Sequence, residues 1–228
     1  MLATLAKFRK TASGLASTRR WSALSLRHAA GFTLVEALIT TVLIAVVLVA
    51  IYTIWFGLQR SYAFTEEDMK AQQEARTALA EIIELIRTAR RPEPAPSEAL
   101  NLVIVSADAN SLVCWTDVDR DAAHDLELVR FRVDTDTRTL YRDESQTGDI
   151  TFSSGSSVRL VSNWVTNNET LPLFTYKDGN GTVLSAPVTD PGSIRQVLID
   201  LRIDVEVGKS PIAHELRSVV QPRNLRQY

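Results

Sequence analysis

Cysteine, histidine and the common catalytic motifs are scarce in this sequence. Its 228 residues include one cysteine, Cys114, so an intrachain disulfide and a metal site built on several cysteines are both excluded. The three histidines, His28, His124 and His214, are scattered among unlike segments. There is no G-x-S-x-G nucleophile motif and no glycine loop of the kind that binds phosphate. We therefore expect a protein that is not an enzyme, in which Cys114 is a buried structural residue.

Acidic residues are absent from the first 31 positions. Residues 1–31 hold six of the 25 basic residues and none of the 27 acidic ones. The other 19 basic residues stand against all 27 acidic ones, so residues 32–228 carry a net charge of −8. Binding to a nucleic acid backbone requires clustered lysine and arginine. We therefore expect no nucleic acid partner for this acidic region.

One long uncharged run is present, from Ala37 to Leu58. Its length is close to the ~20 apolar residues that a helix needs to cross a bilayer. It exceeds the apolar region of a secretory signal peptide, and a charged, helix-forming segment follows it. Basic residues precede the run and acidic ones follow, which places residues 1–31 in the cytoplasm and the rest outside. The sequence thus predicts a single-pass protein of the inner membrane.

A carboxylate stands directly before this run. Glu36 is flanked by apolar residues on both sides. A charge at that depth is costly unless it is paired or close to the headgroups. A simple membrane anchor has no reason to place an acid there, so Glu36 indicates a specific role.

The segment Gly31-Phe32-Thr33-Leu34-Val35-Glu36 follows a basic leader and precedes the apolar run. In this order the features resemble the processing site of type IV pilins and pseudopilins, over about residues 27–58. The resemblance implies that prepilin peptidase cleaves between Gly31 and Phe32 on the cytoplasmic side. Phe32 then becomes an N-methylphenylalanine at the new N-terminus. Glu36 would neutralise the N-terminus of a neighbouring subunit during filament assembly.

Elementary chemistry agrees with these implied roles. A free amine among packed helices needs a counter-charge, because an unpaired buried ion costs several kcal/mol. Glu36 lies four residues after Phe32, about one helical turn. Gly31 has no side chain, which allows a peptidase to approach the backbone closely. Two features differ from the family: the leader is long, and one cysteine cannot form the paired-cysteine loop of many pilins.

Helical periodicity continues beyond the uncharged run. Apolar residues recur at helical spacing and predict one face that packs against a core: Ala71, Ala75, Ala78, Leu79, Ile82, Ile83 and Ile86. We assign charged residues to the opposite, polar side: Glu66, Lys70, Glu74, Arg76, Glu81, Glu84 and Arg87. The helix is predicted over residues 33–88 and must end before Pro92.

After Pro96 the hydrophobic pattern changes to a period of two residues, which is typical of strands. Strands are predicted at residues 100–106, 111–116, 126–133, 138–142, 174–176, 182–184, 194–207 and 214–220. Residues 144–157 are rich in serine, threonine and glycine and predict a loop. The predicted fold is α+β, a long N-terminal helix packed on an antiparallel sheet.

The predicted organisation has four parts. They are a cleaved leader at 1–31, a transmembrane or filament-core helix at 32–58, an amphipathic stem at 59–91 and a β-rich head at 92–228.

A second, looser resemblance lies in the head. Phe174-Thr175-Tyr176 precedes a glycine-rich turn, a long amphipathic strand and the segment 216–225. This succession is similar to the minor subunits of the PilW and GspJ type.

Four aspartates alternate between two predicted strands: Asp117, Asp119, Asp121 and Asp125. Alternating carboxylates suit calcium, which takes six to eight oxygen ligands. The pattern lacks the turn glycine of an EF-hand loop, and Glu127 comes one position early for the last ligand of such a loop. The alternative is a solvated acidic turn, in which aspartate is common.

Two function classes follow from the sequence. The first is a structural assembly subunit of a type IV pilus or of a type II secretion pseudopilus, whose partners are prepilin peptidase and other pilin subunits. The second is a single-pass membrane protein with an extracytoplasmic ligand-binding domain. Cleavage at Gly31 distinguishes them.

Overall fold

The computed structural model describes residues 31–95, 97, 100–119, 125–145, 149–208 and 213–225. By compactness the chain divides into two units, Met1–Thr53 and Ile54–Tyr228. In the described ranges one α-helix and nine strands follow in order: α1 (Leu34–Thr88), β1 (Ile104–Ala107), β2 (Ser111–Thr116), β3 (Glu127–Asp134), β4 (Thr139–Ser145), β5 (Ser156–Val161), β6 (Phe174–Lys177), β7 (Val183–Leu184), β8 (Gln196–Ile203) and β9 (His214–Val220). Two short 3₁₀ helices lie at Pro191–Ser193 and Arg223–Leu225. The predicted α+β architecture, a long apolar helix packed on antiparallel strands, is confirmed.

Helix α1 begins where the sequence predicts. Thr33 caps it, because Thr33 Oγ1 accepts a hydrogen bond from the backbone N–H of Glu36 at 3.2 Å. Thr88 is its last residue, and Arg90 N donates to Trp115 O at 3.0 Å instead of continuing the helix. The end falls four residues before Pro92, as expected for a residue that cannot donate a helical hydrogen bond.

The first part of α1 has an apolar surface that the chain itself does not cover. All residues from 31 to 53 are exposed, and Leu38, Val42 and Leu48 each leave more than half of their surface accessible. Such a helix is long and apolar enough to cross a membrane. Exposed apolar surface on this scale requires lipid or other helices around it.

The strands form two antiparallel sheets. Sheet A has the order β1-β2-β3-β4-β5, a meander in which every strand pairs with its neighbour in sequence. Sheet B has the order β7-β6-β8-β9. An isolated bridge between Val165 and Ile203 connects the segment after β5 to β8. Arg138 supports this junction, because its guanidinium donates to the carbonyl oxygens of Trp164, Val165 and Asp204.

The second part of α1 forms one core with both sheets. Ala71, Ala75 and Ala78 are at most 1% exposed, and Ile82 and Ile86 follow on the same face. Their partners are buried residues of sheet A and sheet B: Leu112, Cys114, Val129, Phe131, Leu140, Val161, Phe174, Tyr176, Val197, Ile199, Leu201, Ile203 and Val220. The predicted apolar face of the helix is therefore confirmed, with Leu79 and Ile83 only partly buried at its margin.

Some residues assigned to the polar side of α1 contact β4 or the segment that follows β5. Glu81 forms an ion pair with Arg142 of β4, and Glu74 accepts a hydrogen bond from Ser162 N at 3.1 Å. Lys70 lies over the ring of Trp164, 5.9 Å from its centroid. Lys70 is exposed, as a residue of the polar side should be, whereas Glu74 and Glu81 are half-buried at the flanks of the helix.

Most predicted strands are present, with different bounds in several places. Strand β1 begins at Ile104 rather than at residue 100, and β4 extends to Ser145, into the predicted loop. Strand β5 forms at Ser156–Val161, where the sequence predicted a loop up to residue 157. The strand predicted to reach Val207 ends at Ile203, the residue that forms the isolated bridge with Val165. The head contains two sheets rather than one.

Candidate functional site

The predicted processing segment lies at the junction of irregular chain and helix. Gly31 and Phe32 have no regular structure, and Phe32 is 74% exposed. A Cβ atom built on Gly31 would meet nothing within 4 Å. The described residues therefore do not require glycine at this position. A protease recognises exposed, non-helical backbone, which is what this junction offers.

Glu36 lies in the first turn of α1, two residues after the helix begins. Its backbone N–H is bound to the cap residue Thr33, so the position of its Cα is fixed relative to the new N-terminus that cleavage would create. A carboxylate in the first turn is favoured by the partial positive charge of the helix N-terminus. It is exposed here, as are the apolar residues on both sides of it.

The acidic loop between β2 and β3 brings together a different set of carboxylates from the one predicted. Ligand oxygens of Asp117, Asp119 and Glu127 all lie within 4.8 Å of one another. Asp125 is exposed and is not part of this group. Asp121 lies outside the described residues. The spacing is compatible with a shared cation, for which carboxylate oxygens are suitable ligands.

Glu127 belongs to this group of carboxylates but was not among the predicted ligands. It is the first residue of β3 and is 6% exposed, and its Oε2 accepts a hydrogen bond from Val118 N at 2.9 Å. Burial raises its pKa, the Val118 hydrogen bond acts in the opposite direction, and the negative charge of Asp119 raises the pKa further. The calcium site stays a prediction. Calcium titration of the melting temperature tests it, since an ion bound to the folded state raises that temperature.

The cysteine, tryptophan and histidine side chains noted in the sequence lie in environments that indicate structural roles. Cys114 is fully buried in β2, and burial raises the pKa of its thiol to about 12, which makes it unreactive. Trp115 is 2% exposed and donates from Nε1 to Leu100 O at 3.0 Å. His214 of β9 contacts Asp68 of α1 at 2.9 Å. His28 and His124 lie outside the described residues.

Residues 26–52 match the model of the prokaryotic N-terminal methylation motif. No curated protein matches the chain. The matched residues contain Gly31, Phe32 and Glu36, so the match supports the resemblance to type IV pilins and pseudopilins. It indicates a pilin-like substrate of prepilin peptidase that assembles with other pilin subunits, and the apolar helix is consistent with anchoring in the inner membrane.

Proposed function

We propose that this chain is a minor prepilin or pseudopilin, a structural subunit of a type IV pilus or of a type II secretion pseudopilus rather than an enzyme. After cleavage at Gly31 it would leave the inner membrane through assembly of its apolar helix into a filament, with the head on the extracytoplasmic side. The resemblance of Phe174-Thr175-Tyr176, the glycine-rich turn after it and the segment 216–225 to minor subunits supports a subunit of the PilW and GspJ type.

The observation that carries this proposal is the junction at Gly31 and Phe32. The methylation-motif match spans it, the backbone there is exposed and irregular, and a capped apolar helix follows it directly. The exposed apolar surface of α1 adds support, since a helix of this kind needs either lipid or neighbouring helices. A filament supplies the second of these environments.

A second candidate is a membrane-anchored ligand-binding protein. The observation in its favour is an open cleft near the start of β2. Its lining includes charged and polar side chains from the β1–β2 turn, from the start of β2 and from β3: Asp108, Asn110, Ser111 and Arg132. A membrane-anchored ligand-binding protein requires no cleavage at Gly31. A test of cleavage at Gly31 therefore separates the two candidates.

The test is co-expression with prepilin peptidase, followed by sequencing of the mature N-terminus. We expect wild-type chains to begin at a methylated Phe32, and Gly31→Ile chains to keep the leader. Among the residues that the structure describes, the substitution creates no clash, because no atom lies within 4 Å of a Cβ built on Gly31. A loss of cleavage therefore reports on recognition by the peptidase.

Gly57→Ile is the matched control, since a Cβ at Gly57 also meets nothing within 4 Å. It should be cleaved like the wild type. An intact leader on the wild-type chain, or normal cleavage of Gly31→Ile, would contradict the proposal.

A further inference from the structure

The head carries two exposed Asn-x-Thr sequences, Asn168-Glu169-Thr170 and Asn180-Gly181-Thr182. This tripeptide is the acceptor sequence for N-linked glycans on proteins outside the cytoplasm. Asn168 lies in the loop between β5 and β6, and Asn180 lies in the turn between β6 and β7. Both asparagines are exposed, so accessibility alone does not distinguish them.

Their hydrogen bonds differ. Asn168 Oδ1 accepts from the backbone N–H of Thr170 at 2.9 Å and of Leu171 at 3.0 Å. Two backbone donors identify this atom as the oxygen of the amide. Asn168 Nδ2 has one contact among the described residues, with Thr166 O at 3.5 Å, which is long for a hydrogen bond. The amide is thus held by its oxygen, and its nitrogen is available for reaction.

At Asn180 the backbone N–H groups of the turn donate to a neighbouring aspartate and not to the asparagine side chain. Asp178 Oδ1 accepts from Thr182 N at 2.8 Å and from Asn180 N at 2.9 Å. The backbone N–H of the hydroxyl residue is therefore bound to Asp178 rather than to the asparagine side chain. The turn that joins the acceptor amide to its threonine exists at Asn168 and is absent at Asn180.

The residue before Asn168 anchors the loop. Asn167 is 2% exposed, and its Nδ2 donates to Asp200 O at 2.7 Å and to Leu171 O at 3.2 Å. Its Oδ1 accepts from Arg202 N at 2.9 Å. Hydrogen bonds from Asn167 to β8 therefore fix the backbone next to Asn168, whose own side chain lies at the surface.

We propose that Asn168 is an acceptor for N-linked glycosylation, and that Asn180 is not. The donor is an oligosaccharide joined to a lipid through pyrophosphate, and an oligosaccharyltransferase catalyses the transfer. Nδ2 forms a bond to the anomeric carbon and gives its proton to a base of the transferase. The bond from that carbon to the pyrophosphate oxygen breaks, and the lipid pyrophosphate leaves with the electron pair. The inference rests on the proposed function, which places the head outside the cytoplasm.

The test is mass spectrometry of peptides from the chain purified from the membranes and filaments of its natural host. We expect a glycan on the peptide with Asn168 and none on the peptide with Asn180. Asn168→Asp removes the acceptor nitrogen and keeps the oxygen that accepts from Thr170, so it should lose the glycan without disturbing the loop. Asn180→Asp is its matched control and should retain the glycan at Asn168.

Thr170 provides an independent check. Thr170→Ala should abolish glycosylation. Thr170→Ser should retain it, because serine keeps the hydroxyl of the acceptor sequence. An unmodified Asn168 on wild-type chains that begin at Phe32 would overturn the inference and leave the proposed function intact. Equal glycosylation of Asn180 would also overturn it. A glycan on Asn168 of chains that retain the leader would support the inference and contradict the proposed function.

Discussion

Asp143 connects three strands of sheet A on the face away from α1. Its Oδ2 accepts from Arg130 Nε at 2.8 Å and Arg132 Nε at 2.7 Å, and its Oδ1 accepts from Ser157 Oγ at 2.6 Å. Burial alone would raise the pKa of this carboxyl, but the hydrogen bonds from Arg132, Ser157 and Arg130 together lower it. The ionised form of Asp143 is therefore the one that stabilises the fold.

We expect Asp143→Asn to lower the free energy of unfolding at neutral pH by about 3 kcal/mol, since it removes the buried counter-charge that the guanidiniums of Arg130 and Arg132 share. A folded-state pKa below the unfolded one gives stability that is present above the unfolded pKa and is lost as the pH falls through the folded pKa. The gap between variant and wild type should therefore narrow at acidic pH, below the ordinary aspartate pKa of about 3.9. Melting curves at neutral and acidic pH measure it, with the exposed Asp136→Asn as control, and a gap that does not depend on pH would contradict it.

Among elements, the stem half of α1 depends on small residues. Ala71, Ala75 and Ala78 are buried against the strands, and this close approach brings Glu81 within reach of Arg142. Larger side chains would hold the helix away from the sheets and break the polar contacts on its flanks.

Ala75→Leu should therefore destabilise the head by roughly 1–3 kcal/mol, because its site is fully packed. Ala80→Leu introduces the same side chain at an exposed position of the same helix and should change stability little. Thermal unfolding of both variants in detergent gives the comparison. Similar melting temperatures for Ala75→Leu and Ala80→Leu would show that the alanine face is not tightly packed.

Strand β5 shows how far an element can be predicted from its own residues. Ser156, Ser157 and Arg159 are poor indicators of a strand, and most of β5 is exposed. The strand exists because β4 offers a free edge, with which it pairs from Leu140 to Glu144. Gly155 permits the turn into it, since a Cβ there would lie 2.0 Å from Glu144 O. The requirement for glycine is visible only once the two strands are placed together.

For the whole molecule, the arrangement of charge along the chain says more about membrane insertion and assembly than the net charge of −2 does. The leader is basic, the next segment is apolar with Glu36 at its start, and the head is acidic. Under the proposed function, Glu36 pairs with the N-terminal amine of a neighbouring subunit among packed helices. An unpaired amine in that environment costs several kcal/mol.

Glu36→Val should therefore still insert into the membrane and be cleaved, yet enter filaments at least about tenfold less than the wild type, which corresponds to ~1.4 kcal/mol. Quantitative immunoblots of sheared filaments and of membranes measure the ratio. Glu66→Val, an exposed acid further along the same helix, is the control and should assemble normally. Equal incorporation of Glu36→Val and wild type would contradict the assigned role.

The sequence by itself determined the features that depend on neighbouring residues. The processing segment, the uncharged run, the limits of α1 and most strands follow from local hydropathy, capping and the position of Pro92. Only the tertiary structure decided which distant residues meet. Glu127 joins Asp117 and Asp119 because β2 and β3 pair in one register, and Asp143 meets Arg130 and Arg132 across two strands. Such contacts depend on strand pairing and close packing between remote segments, which local patterns in a sequence do not contain.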